Sequence, residues 1–92
     1  MLVIAAAAAL AAAVSPAANP AVGCGVISSH GARYLVRVEQ GRMACTTARA
    51  GMLRFIATAA APKRWICFRG HSTQRWAAVC THSGTIVRAY LR

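Results

Sequence analysis

Four cysteines in a chain of 92 residues constrain this sequence more than any other feature. They stand at Cys24, Cys45, Cys67 and Cys80. A chain this short buries only about 60% of the surface its unfolded form exposes, so a single small core holds it marginally. Length allows one domain. Two covalent cross-links are the natural reinforcement, and an even cysteine count in a short exported chain reads as a disulfide framework.

Export is read from the N-terminus. Residues 1–14 (MLVIAAAAALAAAV) are unbroken apolar, and Ser15, Pro16, Asn19 and Pro20 then interrupt the run. A helical span of the bilayer core needs roughly 20 apolar residues, so this run is too short to cross it and fits a signal-peptide core instead. Small residues Ser15 and Ala17 suit cleavage after Ala17, and a site a few residues later, nearer Ala21, is the alternative. The expected layout is a signal peptide over 1–17, a linker or N-terminal arm over 18–32, and one small basic domain over 33–92. No transmembrane span is expected after cleavage. The leader lacks a basic residue at its start. Ala21-Val22-Gly23-Cys24 also resembles a lipoprotein acylation site in part, but Pro20 stands where an apolar residue is wanted. Acylation of Cys24 would leave an odd number of thiols.

The domain reads as α+β. Alternation over Arg33–Glu39 predicts a strand, and Gly41 ends it. Residues 43–58 predict a helix whose apolar stripe is Cys45, Ala48, Met52, Phe55, Ile56 and Ala59. Arg64–Arg69 predicts a second strand. Residues 75–82 and 85–91 predict a hairpin about Ser83-Gly84, with Cys80 opposite Val87, Ala78 opposite Ala89 and Trp76 opposite Leu91. That apolar face needs a cover, and the helix stripe supplies one. The expected architecture is one helix packed on a three- to four-stranded, mostly antiparallel sheet. A strand at 64–69 running parallel to the first strand would bring Cys67 to Cys45 and leave Cys80 for Cys24. This gives a nested pairing, Cys45–Cys67 and Cys24–Cys80. Cys67, His71, Cys80 and His82 contain zinc-ligand types, but their spacing matches no common zinc module, so no metal or other cofactor is expected. A redox role for Cys45 lacks a Cys-x-x-Cys motif.

Charge narrows the chemistry. The chain has eleven Lys and Arg, all between Arg33 and Arg92, against one acid, Glu39, for a net charge of +10. Without aspartate there is no Ser-His-Asp triad, no paired-carboxylate glycosidase and no carboxylate-rich calcium or magnesium site. The remaining enzymatic reading is a secreted ribonuclease, with Glu39 as base, one of His30, His71 or His82 as acid, and Arg37 on the phosphate; no motif supports it. Ser28-Ser29-His30-Gly31 reads as a solvated turn. A surface this basic attracts polyanions. The candidate anion-binding residues are Lys63, Arg64, Arg69, Arg75 and Arg88 with Trp65, because alternating cationic and aromatic side chains suit anionic lipid or single-stranded bases. Trp76 falls in the core by the hairpin register.

The order of a strand, Cys45-Thr-Thr-Ala48 opening a helix, Trp65-Ile-Cys67, and Cys80 before a final strand resembles small four-cysteine secreted proteins of high-GC bacteria over residues 33–91. The resemblance implies the fold and an extracellular or envelope location, and no activity. The expectation is therefore a non-enzymatic, exported, cationic binding domain at the cell envelope or outside the cell. Its partner would be an anionic envelope polymer, a lipid surface or an acidic protein, and nucleic acid is disfavoured by export. The alternative is an antimicrobial or toxin-like cationic effector.

Overall fold

The structure, a computed structural model, describes residues 20–92, so the signal peptide expected over 1–17 lies outside the described residues. The chain runs β1 (Val22–Ser29), β2 (Ala32–Gln40), α1 (Cys45–Thr58), β3 (Ile66–Arg69), β4 (Ala78–His82) and β5 (Thr85–Leu91). The five strands form one sheet in the order β1-β2-β5-β4-β3, and every neighbouring pair is antiparallel. Among the described residues no helix is long and apolar enough to cross a membrane.

Two hairpins turn on two residues each. His30 and Gly31 join β1 to β2 with φ of 52° and 82°, and Ser83 and Gly84 join β4 to β5 with φ of 48° and 79°. Positive φ at both central residues matches the twist of the flanking strands, which is why Gly recurs at the second position. The β4–β5 register pairs His82 with Thr85, Cys80 with Val87 and Ala78 with Ala89, as the sequence pattern predicts.

α1 lies across one sheet face and buries Ala48, Gly51, Met52, Phe55 and Ile56. They meet Val36 and Val38 of β2, Val87 and Ala89 of β5, and Ala78 and Cys80 of β4 in one core cluster. Met52, Val36, Val87 and Cys80 are fully buried. Each large apolar side chain so placed stabilises the fold by about 1.5–3 kcal/mol. The helix stops at Ala59, which is exposed rather than part of the apolar stripe expected of it, because its φ of 65° is left-handed and turns the chain out of the helix; its N–H donates to the Phe55 carbonyl.

The sheet has five strands rather than three or four, and the additional one lies where a linker was expected. Val22–Ser29 (VGCGVISS) is rich in glycine and serine, which hides its alternation. The register also shifts between Gly23 and Val26. Even so, Cys24, Ile27 and Ser29 are buried. The Arg49 Nη1 donates to the Cys24 carbonyl at 2.7 Å and ties the helix to this edge strand.

The nested cysteine pairing is corrected. The bridges are Cys24–Cys45 and Cys67–Cys80. β3 is separated from β2 by β5 and β4, and successive antiparallel steps make it run opposite to β2. The parallel arrangement that would carry Cys67 to Cys45 is therefore absent. Cys67 sits directly opposite Cys80 in the β3–β4 ladder, with 4.0 Å between Cα atoms. Cys24 meets Cys45 at the first residue of the helix. One bridge staples an edge strand to the helix, and the other staples the opposite edge strand to its neighbour.

Candidate functional site

The face of the sheet away from α1 has no helix over it, and strand periodicity decides what it displays. Val36 and Val38 point into the core, so Arg33, Leu35, Arg37 and Glu39 of β2 point away from it. Val87 and Ala89 do the same for β5, leaving Ile86, Arg88 and Tyr90 on the open face. β4 adds Val79 and Thr81, and β3 adds Ile66 and Phe68. The ladders set these residues in rows. One row reads Gly23, Arg37, Arg88, Val79 and Phe68 across all five strands.

Leu35, Arg37, Glu39, Gln74, Arg75, Trp76, Arg88 and Tyr90 line a shallow depression on this face. Arg37 and Arg88 are directly opposed across β2 and β5. Like charges in that relation destabilise a sheet unless something neutralises them. Glu39, the only carboxylate side chain of the chain, does so in part. Its Oε2 lies 3.7 Å from Arg37 Nε and accepts a 2.6 Å hydrogen bond from the Tyr90 hydroxyl. Arg88 has no acid beside it. Its guanidinium lies 5.7 Å from the centre of the Trp76 ring, and its Nε is buried without a hydrogen-bond partner among the described residues. An aromatic face stabilises a cation electrostatically but satisfies no N–H. Burial holds the Tyr90 phenol above its ordinary value of 10.0, and the hydrogen bond to Glu39 and that carboxylate's charge push it further the same way. The result is a concave patch with two opposed guanidiniums, a third arginine at its rim, two aromatic rings and one carboxylate already engaged.

The expected anion-binding residues do not all converge. β3 and β4 are antiparallel, so their starting residues lie at opposite ends of the pair. Arg75 and Arg88 share the depression. Lys63 and Arg64 are exposed in a turn at the other end. Trp65 is half-buried on the helix side, packed against the core and stacked on His82 with 5.8 Å between ring centroids. Arg69 is held under the helix end, 5.4 Å from the Phe55 ring centre, with Nη2 donating to the Ile56 carbonyl at 3.4 Å. Trp76 is not in the core. The chain bends at Ala77 before β4 begins, which breaks the alternation and turns the indole to the open face.

The remaining candidates are also placed. None of His30, His71 and His82 lines the depression that holds Glu39. His30 Nε2 lies 3.3 Å from the Ala57 carbonyl, His82 Nδ1 lies 3.3 Å from the Arg64 carbonyl, and the His71 backbone N–H donates to Gln74 Oε1 at 2.7 Å. Glu39 thus shares this depression with Arg37 but with none of the three histidines. Cys67 and Cys80 are bonded to each other, which removes both thiolates from the set Cys67, His71, Cys80 and His82. Trp76 and Tyr90 escaped the sequence reading as binding residues, and Arg37 entered it only as the phosphate ligand of the ribonuclease alternative. The parity of β2 and β5 carries Arg37 and Tyr90, once those strands are known to be neighbours.

The chain matches no protein family, no curated relative and no solved structure. The reading of the site therefore rests on its own chemistry.

Proposed function

We propose that this protein is a non-enzymatic, exported, cationic domain that binds an anionic partner at the cell envelope or outside the cell, using the open face of its sheet. One observation carries the reading. Arg37 and Arg88 are opposed on that face, the one carboxylate there, Glu39, engages Arg37 and Tyr90, and Arg88 keeps a buried N–H without a partner among the described residues. Guanidinium groups bind phosphate, sulfate and carboxylate in a fork geometry, so an anion seated between the pair supplies the charge the sheet lacks. The net charge of +10 adds long-range attraction for any polyanion. The two disulfides suit a compartment in which thiols stay oxidised.

The test is salt-graded elution of the oxidised protein from a sulfated polysaccharide matrix. Three proteins are compared: the natural chain, Arg37→Gln/Arg88→Gln, and Arg42→Gln/Arg54→Gln. Arg42 and Arg54 are exposed away from the depression, so both variants lose the same charge. The expected result is retention of the natural chain at low ionic strength, with the Arg37/Arg88 variant eluting well before the control variant. No retention at low salt defeats the proposal. Co-elution of the two variants defeats the assignment of the site.

A further inference from the structure

The open face carries more than arginines. Ile66 and Phe68 of the edge strand β3 are 60% and 61% exposed. Both point to the same side of the sheet as Val79, Thr81, Ile86 and Arg88, because Ile66 pairs with Thr81 and Phe68 with Val79. The other two exposed large apolar residues among the described residues, Val22 and Leu91, have core-side parity at strand ends and do not join this surface. Strands lie about 4.8 Å apart, so Phe68 and Arg37 are separated along their shared row by three spacings, about 14 Å. The face is therefore divided. Its β3–β4 side is apolar, its β5–β2 side is cationic, and Trp76 and Tyr90 border the cationic part.

We infer that the anionic partner met by this face is a lipid surface, with Phe68 and Ile66 entering the acyl boundary while Arg37 and Arg88 hold the headgroups. The inference rests on the proposed function and names its partner. A hydrated polyanion such as a wall polymer offers nothing to two large apolar side chains, and their exposure beside arginines is then unexplained. An anionic bilayer satisfies both halves, since binding there scales with buried apolar area plus attraction to anionic heads. A second copy of the chain meets an obstacle. Each copy carries +10, and joining two β3 edges brings Lys63, Arg64 and Arg69 of each into opposition. The edge strand is also only four residues long, which limits it as a template for pairing.

The experiment is co-flotation of the oxidised, full chain with vesicles of mixed phosphatidylglycerol and phosphatidylcholine, against vesicles of phosphatidylcholine alone. Ile66→Ser/Phe68→Ser is the decisive variant. Both side chains already face solvent, so the fold tolerates the change, and circular dichroism checks it. The natural chain is expected to float with the anionic vesicles and not with the neutral ones. The Ser variant is expected to lose about tenfold in partitioning per side chain while keeping its elution from the sulfated matrix. Arg37→Gln/Arg88→Gln is expected to lose about fivefold per arginine. If the Ser variant binds vesicles as the natural chain does, the lipid inference is overturned and the proposed function stands. If the natural chain binds neither vesicles nor matrix, both fall. If sedimentation shows a dimer that the Ser variant alone dissolves, the apolar half belongs to self-association and the inference is overturned.

Discussion

Gly51 faces Trp65 from the buried side of α1, and its replacement by alanine tests the packing directly. On an exposed helix the change stabilises by about 1 kcal/mol, through the higher helix propensity of alanine. Here the added Cβ lies 2.9 Å from Trp65 Cζ2, with Cη2 and Cζ3 nearer still. The indole must move away, giving up its stack on His82 and its contact with the core. Overpacking of this kind costs about 1–3 kcal/mol, so after the propensity gain of about 1 kcal/mol the net expectation for Gly51→Ala is a loss of about 0–2 kcal/mol. The decisive step is to repeat it in a Trp65→Ala background. There the space is open, and the propensity gain of about 1 kcal/mol should return. Urea unfolding followed by far-ultraviolet circular dichroism, with the disulfides intact, reads all four corners of the cycle. Equal effects of Gly51→Ala in both backgrounds, or a gain in the natural one, would refute the argument that the glycine exists to admit the indole.

Non-reducing tryptic digestion of the chain cleaved after Ala17 should yield residues 18–33 linked to 43–49, and 65–69 linked to 76–88, as the bridges Cys24–Cys45 and Cys67–Cys80 require; any cross-linked product joining 43–49 to 65–69 contradicts the connectivity. Cys67→Ser/Cys80→Ser should cost about 3 kcal/mol by loop-closure entropy, measured by urea titration. Arg49→Gln removes the donor to the Cys24 carbonyl and should cost about 1–2 kcal/mol in the same assay. Tyr90 has a folded pKa raised above its unfolded value of 10.0, so its contribution is intact below pH 10 and is lost as pH climbs through the folded value. Stability should fall above pH 10, and Tyr90→Phe should flatten part of that fall; identical alkaline slopes in the two proteins would count against the Tyr90–Glu39 bond.

Local signals were legible and distant ones were not. The β4–β5 register follows from period-two alternation about Ser83-Gly84, and the α1 stripe from three- and four-residue spacing, because both need only neighbouring residues. β1 was hidden because an edge strand with Gly23, Gly25 and two serines has the composition of a linker, and the irregularity after Gly23 erases its parity. Trp76 misled because a single bend at Ala77 reverses the face of everything before it. The site itself depended on β2 lying beside β5, across 51 residues between Arg37 and Arg88. Arg37 and Glu39 shared a face on any reading of β2, but nothing local announces that a second arginine and a tyrosine stand next to them.

The connectivity of the staples has a consequence for biogenesis. Each cysteine is joined to its immediate neighbour in chain order, over separations of 21 and 13 residues. A polypeptide threaded N-terminus first into an oxidising space would present Cys24 and Cys45 before Cys67 arrives, and Cys67 then waits only for Cys80. Correct partners are thus also the first ones available, and the chain can be sealed in sequence as it emerges, with no need for an isomerase to undo premature links.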